Sequence, residues 1–368
     1  MLDLLYGQAM RLRRRRTERR PQLQQRLTKP VISVGNLSVG GTGKTPVVAE
    51  IARRLIAAGH RPSILSRGYA RADAVDGVVV AADGYRILAT VDLAGDEPLM
   101  LARQVPGAIV CVCPDRYLAG TLAENRLGCT VHILDDGFQH LELARDLDVL
   151  VTTIGEIPNG RVIPMGRLRE PKDAARRADV LVVSNASAEA AAQEAEQLGI
   201  RLWCGAQRVL GEPILIAGAV PKVGAAAVPK VSAVAAAGRS GETSPELAHS
   251  SASVGGPGVR VLAVAGIGNP KRFFEALQTR YDVVETMAFA DHHRYRNADV
   301  AAIEAKRVAV NADVVLTTDK DAVRLETLSL PFDAYRVPLQ VTFDPVEALM
   351  APVMAAAAAA AGAPKVFR

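Results

Sequence analysis

The first half of the chain alternates short, continuously apolar runs with longer segments in which apolar residues recur every three or four positions. The apolar runs predict strands buried on both faces, and the longer segments predict helices that pack on them. The predicted strands are PVISVGN, PSILSRGY, AIVCVC, CTVHILDDG, LDVLVTT and ADVLVVSN. Helices covering residues 44–59, 96–105, 115–127 and 186–198 separate most of them. This order predicts an α/β fold with a parallel sheet and helices on both faces.

The pattern changes after residue 200. Residues 218–258 are rich in Ala, Gly, Ser and Pro without a sustained period, which predicts a flexible insertion. Alternation resumes with VRVLAVAGIGNPKRFFEALQ, ADVVLTTDKDAV and YRVPLQVTF, so we expect a second, smaller α/β domain. The predicted divisions are a basic segment at 1–29, a nucleotide-binding core at 30–205, a linker with the insertion at 206–258, the smaller domain at 259–350, and an Ala-rich helix end and tail at 351–368.

Charge is concentrated at the N-terminus. Residues 1–30 hold nine Arg or Lys against Asp3 and Glu18, a net charge of +7. The whole chain has a net charge of +5, so the remaining residues sum to −2. Leucines interleaved with arginines predict an amphipathic helix on an anionic membrane surface, although a solvated basic tail is an alternative. Interleaved aromatic residues are absent, so nucleic acid is not an expected partner. No apolar run there approaches the roughly 20 residues of a spanning helix.

The four cysteines do not have the paired spacing of a zinc site. Cys111 and Cys113 lie in an apolar run and are interpreted as two residues on the same face of a strand. A reduced, cytosolic chain is therefore expected.

The stretch SVGNLSVGGTGKTP predicts a phosphate-binding loop between a strand and a helix. Successive backbone N–H groups of Gly40, Gly41, Thr42 and Gly43 can face phosphate oxygens. Lys44 supplies a charge for the β- and γ-phosphates of ATP, and Thr45 supplies a hydroxyl for Mg²⁺. Ser38 replaces only the outermost glycine of the usual pattern, so a nucleotide site is still expected.

A P-loop switch ATPase of the partitioning or metal-delivery class is the alternative function. These ATPases carry an additional lysine in K-G-G-x-G-K, and the matching position here is Val39. The absence of that lysine argues against the alternative without excluding it.

The stretch VHILDDGFQH places two carboxylates just after an apolar strand. Asp135 and Asp136 are predicted to hold Mg²⁺ opposite the phosphate loop, while a turn or a helix cap is the other interpretation. His140 follows the turn, either close to the phosphates or as a surface histidine at a helix start.

Nine phrases, in order along residues 31–324, resemble the tetraacyldisaccharide 4′-kinases, the lipid A 4′-kinases of Gram-negative bacteria. They are VISVGNLSVGGTGKTP, LSRGYAR, GDEPLMLA, CPDR, ILDDGFQH, PMGRLREP, AGIGNPKRFF, FADHHRY and TTDKDAVR. The resemblance implies a P-loop kinase-like core that uses MgATP to phosphorylate the 4′-hydroxyl of tetraacyldisaccharide 1-phosphate, forming lipid IVA. It also implies peripheral attachment at the cytoplasmic face of the inner membrane. It implies no oligomeric state.

The same resemblance assigns Asp96 as the catalytic base, assisted by a histidine of FADHHRY. His292 is preferred and His293 stays open. From residue type alone, the N-cap of the helix that contains Pro98 is the favoured interpretation of Asp96, and the resemblance reverses that preference.

The resemblance further places Arg67, Arg116 and Arg169 at the substrate and Glu170 near the metal. His140, from its place after the turn, is also predicted to lie at the substrate. A structural ion pair is the alternative for Arg116. Arg167 departs from the family pattern, in which proline usually follows this glycine, and is expected to alter its loop. TTDKDAVR resembles either a GTPase base-reading loop or a cap at the end of a strand, and no catalytic role is assigned to it.

Overall fold

The computed structural model describes residues 2–20, 22, 24–68, 76–217 and 258–359. Two compact units divide the chain: Met1–Gly211 with Pro338–Arg368, and Glu212–Val337. The predicted insertion at 218–258 lies outside the described residues except for Gly258, as do residues 360–368 of the predicted tail.

The larger unit is built on a nine-stranded sheet. Its strands are β1 (Val31–Gly35), β2 (Pro62–Ser66), β3 (Val79–Asp83), β4 (Ile109–Val112), β5 (Val131–Asp135), β6 (Leu147–Thr153), β7 (Val180–Ser184), β8 (Leu202–Leu210) and β14 (Leu339–Asp344). Their order is β14-β8-β7-β6-β1-β5-β2-β4-β3. The seven central strands are parallel, and each edge carries an antiparallel strand.

Helices cover both faces of this sheet. The helices are α1 (Leu2–Glu18), α2 (Lys44–Ala57), α3 (Val91–Ala94), α4 (Asp96–Gln104), α5 (Arg116–Leu127), α6 (Ala188–Leu198) and α10 (Val346–Ala358), with a 3₁₀ helix at Lys172–Arg177. Successive strand residues point to opposite faces. Ile32 and Val34 therefore join the core formed with α2 and α10, whereas Val31 joins the core formed with α5. Burial on both faces explains the continuously apolar strands.

The smaller unit has its own five-stranded sheet in the order β11-β10-β12-β13-β9. Its elements are β9 (Ile214–Ala217), β10 (Arg260–Ala265), α7 (Pro270–Gln278), β11 (Asp282–Ala288), α8 (Asn297–Ala309), β12 (Val314–Thr318), α9 (Asp319–Leu325) and β13 (Ala334–Val337). Only β9 is antiparallel among the described strands of this sheet. The predicted α/β class, with a P-loop kinase-like sheet and a second smaller α/β unit, is confirmed.

The predicted domain boundaries differ from the structure at two places. The predicted linker begins at residue 206, yet β8 continues to Leu210 in the large sheet. The smaller domain was expected to run to residue 350, yet β14 pairs with β8, and α10 packs on the large sheet. YRVPLQVTF looks like one strand in the sequence, but Pro338 cannot donate to a ladder and separates β13 from β14.

The predictions on the cysteines and on membrane-spanning helices can be compared with the structure over the described residues. Cys111 and Cys113 are buried together in the core beneath α5, as expected for strand residues on one face. No described helix combines the length and apolar character needed to cross a bilayer.

Candidate active site

The phosphate loop joins β1 to α2 and ends on Gly43, which precedes the first helical residue, Lys44. Gly40 and Gly43 have φ angles of 111° and 92°, in the left-handed region that glycine adopts without steric cost. No side chain caps the start of α2. Its first backbone N–H groups are therefore directed outward and are suited to an anion.

Ser38 has a structural role in this loop. It is 1% exposed, and its Oγ accepts a 3.3 Å hydrogen bond from the side-chain nitrogen of Asn36. The same nitrogen donates to Thr42 Oγ1 at 3.1 Å, so one side chain ties both ends of the loop together. A glycine at position 38 would lack this oxygen. The substitution is therefore compatible with a folded phosphate loop.

A second segment, residues 161–170, braces the loop from outside. Val39 N donates to the carbonyl of Arg167 at 2.8 Å, and Arg169 N donates to the carbonyl of Leu37 at 2.6 Å. An isolated bridge joins Ser38 to Leu168 between these bonds. The conformation of the loop is thus fixed by residues about 130 positions away in the sequence.

Lys44, Asp136 and Arg169 converge in the larger unit. The ammonium of Lys44 lies 3.5 Å from Asp136 Oδ1, and Arg169 Nη1 donates to Asp136 Oδ2 at 2.8 Å. Burial would raise the pKa of Asp136, but these two cations hold it below its ordinary value. Asp136 has a φ of 55°, which Asp tolerates better than most residues. The ionised carboxylate therefore faces the phosphate loop.

Asp135 ends β5 in a different environment. It is 5% exposed, and the hydroxyl of Ser66 approaches its Oδ2 at 3.4 Å. Burial, with the negative charges of Glu97 and Asp136, raises the pKa of Asp135 to about 7. The pKa values of these two adjacent carboxyl groups are thus shifted in opposite directions, because only Asp136 has cations in direct contact.

Arg116 begins α5 and is 4% exposed. Its Nη1 donates to the carbonyl of Pro114 at 2.8 Å, while its buried Nε has no hydrogen-bond partner among the described residues. Burial lowers the pKa of Arg116, the charges of Asp135 and Asp136 raise it, and Arg67 lowers it further. The described contacts of Arg116 include no ion pair, so the structural ion pair considered for it is not formed there. Arg67 itself is exposed.

The surroundings of His140 and Glu170 are not those that the sequence predicts for a substrate contact and a metal ligand. Burial and the charge of Arg116 lower the pKa of His140 to about 4, so the ring is neutral at physiological pH. Glu170 is buried in an ion pair with Arg177 at 2.9 Å and accepts from Gln139 at 3.3 Å. Gln139 in turn donates to the carbonyl of Asn36 at 2.9 Å. Glu170 therefore supports the start of the phosphate loop.

Asp96 is the first residue of α4 and is 4% exposed. The N-cap of this helix is Gly95, at a φ of 89°, and no side chain makes a capping bond there. The N-cap position therefore belongs to Gly95, and the interpretation of Asp96 as the N-cap is wrong.

The two candidate histidines lie in the smaller unit. Lys320 Nζ contacts Asp291 Oδ1 at 2.8 Å and His292 Nε2 at 3.1 Å. His292 has a φ of 59°, in the left-handed region, which His adopts more often than most residues with a side chain. His293 Nε2 instead lies 3.1 Å from Asp299, and its ring contacts those of Phe289 and Tyr295. His293 is thus held in an aromatic cluster, which favours His292 as the functional ring.

TTDKDAVR forms the cap at the end of β12. Thr318 is the N-cap of α9, its oxygen accepts from Asp321 N at 3.1 Å, and its hydroxyl donates to Asp321 Oδ2 at 2.6 Å.

Among the described residues, no group of three or more His, Cys, Asp or Glu side chains is arranged to hold a metal ion by itself.

Comparison with known proteins places this arrangement in a family. The model of the LpxK family, tetraacyldisaccharide-1-P 4′-kinase, matches residues 1–357. The tetraacyldisaccharide 4′-kinase of Geobacter sulfurreducens is 40% identical over 324 residues, which cover 87% of this chain and 82% of the relative. That of Desulfotalea psychrophila is 34% identical over 349 residues, 93% of each chain.

The chain belongs to the tetraacyldisaccharide 4′-kinase family.

A solved structure agrees. LpxK from Aquifex aeolicus, crystallised in complex with ATP, superposes with a TM-score of 0.72 at 28% identity, covering 96% of this chain and 97% of the other. The predicted family and its lipid A 4′-kinase function are confirmed. As a tetraacyldisaccharide 4′-kinase, the chain is an enzyme acting on a lipid disaccharide, and the switch ATPase alternative is set aside.

Several contacts of the candidate residues within each of the two units are not predicted by the sequence. Arg208 of β8 lies against Gly43, where an added β-carbon would collide with its guanidinium. Tyr6 of α1 donates to the carbonyl of Arg169 at 3.0 Å. Lys320 had been assigned no role, although it contacts His292. Each contact joins residues far apart in the sequence, and no local pattern marked them. Arg167 alone carried a signal, as a departure from the family phrase.

Proposed function

We propose that the loop at Gly40–Thr45 binds the phosphates of ATP and that the γ-phosphate is transferred to the 4′-hydroxyl of tetraacyldisaccharide 1-phosphate, forming lipid IVA. The observation that carries this proposal is the approach of Lys44 to Asp136, 3.5 Å apart, at the uncapped start of α2. Lys44 and the loop N–H groups hold the β- and γ-phosphates, and Lys44 exchanges Asp136 for phosphate oxygens when ATP binds.

Oxygen ligands suited to Mg²⁺ lie on both sides of this loop. Mg²⁺ prefers one or two carboxylates with phosphate oxygens and water. Thr45 and Asp135 fit that set, with Asp136 as a further ligand once Lys44 turns to the phosphates. Mg²⁺ held by these residues would supply positive charge that offsets the negative charge developing on the phosphates during transfer. Glu170, predicted as another ligand, is bound to Arg177 and Gln139, and we assign it the support of the loop.

Asp96 is proposed to accept the proton of the 4′-hydroxyl as the γ-phosphate arrives. Its burial at the start of α4 gives a carboxylate whose orientation is restricted. His292 is proposed to assist it. Lys320 donates to His292 Nε2, so the remaining proton of a neutral His292 ring resides on Nδ1.

The substrate carries a phosphate of its own, for which the larger unit provides cations. Arg116 has a buried Nε with an open donor, and Arg67 is close enough to influence its pKa. A guanidinium binds phosphate through two parallel N–H donors. We assign Arg67 and Arg116 to the substrate, with neutral His140 as a hydrogen-bonding neighbour. Arg169 orients Asp136.

The test of the chemical step is Asp96→Asn in an assay of labelled-phosphate transfer to the lipid acceptor. The amide retains the shape but cannot accept a proton, so kcat should fall by about 10²–10⁴ with little change in the KM for ATP. Asp92→Asn, an exposed carboxylate in the preceding helix, is the matched control and should be silent. An unchanged kcat in Asp96→Asn would remove Asp96 from the mechanism. His292→Asn and His293→Asn in the same assay decide between the two rings.

Helix α1 is proposed to attach the enzyme to the cytoplasmic face of the inner membrane. One side of α1 is docked on the protein: Arg11 and Arg14 pair with Asp173, and Arg13 pairs with Glu142. The opposite side exposes four leucines. These are Leu2 at 66%, Leu4 at 70%, Leu5 at 63% and Leu12 at 65% exposed.

An apolar face flanked by the exposed Arg15 and Arg16 suits an anionic bilayer surface. Each arginine near such a surface contributes about 1 kcal/mol through a field that salt screens within roughly 8 Å. Flotation with anionic and neutral vesicles tests the attachment. Leu5→Ser with Leu12→Ser should reduce flotation on anionic vesicles, and Arg15→Gln with Arg16→Gln should abolish the preference for them. Arg13→Gln, on the docked side, is the control. Unchanged flotation in both outward-facing variants would show that α1 is not the attachment site.

A further inference from the structure

We propose that Arg167 contacts the γ-phosphate of bound ATP and stabilises its charge during transfer. This inference rests on the proposed function of the loop. It assigns to this chain an arginine supplied by its own bracing segment, placed where partitioning ATPases carry a lysine in the loop itself. Arginines that act on the γ-phosphate in this way raise the rate of phosphoryl transfer in other P-loop enzymes.

The side chain of Arg167 lies on the outer end of the loop. Its Nη2 and Nε donate to the carbonyl of Val39 at 2.8 and 3.2 Å. A β-carbon added at Gly40 would collide with Nη2 of Arg167, so the guanidinium lies directly against the Gly40 backbone. Gly40 and Gly41 are exposed, and a β-carbon at Gly41 would have nothing within 4 Å. The space beside the guanidinium is therefore open at the loop.

The guanidinium keeps donors for a ligand. Arginine has five N–H donors, and the bonds to Val39 use two of them. The remaining donors belong to Nη1 and to the second hydrogen of Nη2, the atom that lies against Gly40. Because Arg167 is exposed, its charge is not neutralised by burial beside an acid. A phosphate seated on the N–H groups of Gly40 and Gly41 would lie within reach of these donors.

Arg167 approaches the loop from the end opposite Lys44. Lys44 begins α2. Arg167 is held at Val39 in two ways: its guanidinium donates to the carbonyl of Val39, and the carbonyl of Arg167 accepts from Val39 N. The two cations would thus hold the γ-phosphate between them. In the transfer, the bond from the γ-phosphorus to the bridging oxygen of ADP breaks. A bond from the acceptor oxygen to phosphorus forms, and the acceptor proton passes to Asp96. Arg167 exchanges no atom or electron and acts by charge and hydrogen bonding.

The competing explanation is that Arg167 only braces Val39. A brace affects every nucleotide that binds the loop, whereas a γ-phosphate contact affects ATP and leaves ADP unchanged. The experiment measures the affinities of purified Arg167→Ala, Arg167→Gln and Arg167→Lys for a non-hydrolysable ATP analogue and for ADP, each with Mg²⁺. Arg161→Ala is the control, since Arg161 lies on the same bracing segment and pairs with Asp3.

We expect Arg167→Ala and Arg167→Gln to bind the ATP analogue about 5- to 20-fold more weakly, to bind ADP within about twofold of the parent, and to lose at least about tenfold in kcat. Arg167→Lys should recover part of the analogue affinity, because it retains a charge. Equal weakening of ADP and the analogue would establish the brace and overturn the proposal, and so would no change in either. If the unmodified protein binds neither nucleotide, the proposed function of the loop fails instead. Arg167→Lys and Arg167→Gln remain decisive if Arg167→Ala does not fold.

Discussion

In the larger unit, β1 leads through a glycine-containing loop into α2; in the smaller unit, β10 leads through residues 266–269 into α7. Both have the strand, loop and helix order that precedes many phosphate sites. Their helix starts are completed differently. At α2 no side chain caps the helix and a lysine is the first helical residue. At α7 the Asn269 side chain accepts from Arg272 N at 3.4 Å.

One backbone donor of the smaller loop, the N–H of Gly266, is also occupied. Gly266 N donates to Asp321 Oδ2 at 3.0 Å, and the Tyr295 hydroxyl donates to Asp321 Oδ1 at 3.1 Å. Burial raises the pKa of Asp321, although these donors and the Thr318 hydroxyl favour its ionised form. A carboxylate of the chain itself therefore occupies the place that a bound anion would take. The comparison teaches that strand, loop and helix order is not enough, because the donors must also remain open.

The largest expected effect comes from replacing the lysine in the first turn of α2, compared with the lysine in the first turn of α7. Lys44→Ala should reduce phosphate transfer by about 100-fold or more, equivalent to roughly 3 kcal/mol, because it removes a charge that stabilises the phosphates in the transition state. Lys271 also lies in the first turn of its helix, but it is 85% exposed beside Glu275. Lys271→Ala is therefore the control, and its transfer rate should be normal. Near-normal turnover in a folded Lys44→Ala protein would contradict the assignment of the loop.

The next largest effects are expected from replacing two glycines of the phosphate loop, Gly43 and Gly41. Gly43→Ala places a side chain at a φ of 92° and against Arg208, so we expect a loss of about 1–3 kcal/mol in the free energy of unfolding. Gly41→Ala points into open space and should leave unfolding within about 0.5 kcal/mol of the parent.

Gly41→Ala should nevertheless weaken ATP binding, because the methyl group occupies the approach to the backbone donors. Urea denaturation and calorimetric titration of both variants separate strain from ligand exclusion. Full ATP affinity in Gly41→Ala would mean that the phosphate does not lie over this residue.

The sequence predicts the central strands of the large sheet, because continuously apolar runs and helical periodicity are local properties. It predicts the phosphate loop and the Asp135–Asp136 pair for the same reason. The edge strand β3 and the strand β8 beside the other edge are not predicted, since a half-exposed strand such as β8 mixes apolar and polar residues. The domain boundary at Pro338 also depended on pairing rather than on composition.

Functional contacts between distant residues could not be obtained from local patterns. Arg167 reaches Val39 across 128 positions, and Tyr6 reaches Arg169 across 163. Such contacts follow from how the segments pack. The roles proposed for Asp96 and His292 rest on the resemblance to a family, since residue type alone favours a helix cap for Asp96.

Asp135 of the larger unit and Asp321 of the smaller unit provide a third contrast, in the hydrogen-bond donors around each carboxyl group. Asp321 has three donors, whereas Asp135 has a single 3.4 Å contact from Ser66 and a pKa raised to about 7. The folded protein therefore retains the Asp135 proton at pH values where the unfolded chain has released it. Its contribution to stability falls as pH rises from about 4 to 7 and is constant above that.

Asp135→Asn should accordingly be more stable than the parent by about 1–2 kcal/mol at pH 8, with the difference vanishing toward pH 4. Urea denaturation of the nucleotide-free protein at several pH values measures this, and Asp76→Asn, a carboxylate that is exposed, is the control. A stability difference that grows as pH falls would contradict the assigned pKa direction. The variant should also lose transfer activity, since an amide is a poor Mg²⁺ ligand.

The smallest expected effect concerns the cap of α7. Asn269→Ala removes the acceptor for Arg272 N, so the smaller unit should lose about 1 kcal/mol of stability. Asn269→Asp and Asn269→Ser retain a capping oxygen and should recover most of that loss. Affinity for ATP should be the same in all three variants, because the Asp321 carboxylate lies on Gly266 N, where a phosphate would otherwise bind. Hydrogen exchange at the start of α7, measured beside calorimetric titration with ATP, follows both quantities in one preparation. A weakening of ATP binding in Asn269→Ala that the two capping variants reverse would mean that the smaller loop also contributes to the nucleotide site, and the contrast between the two helix starts would then be lost.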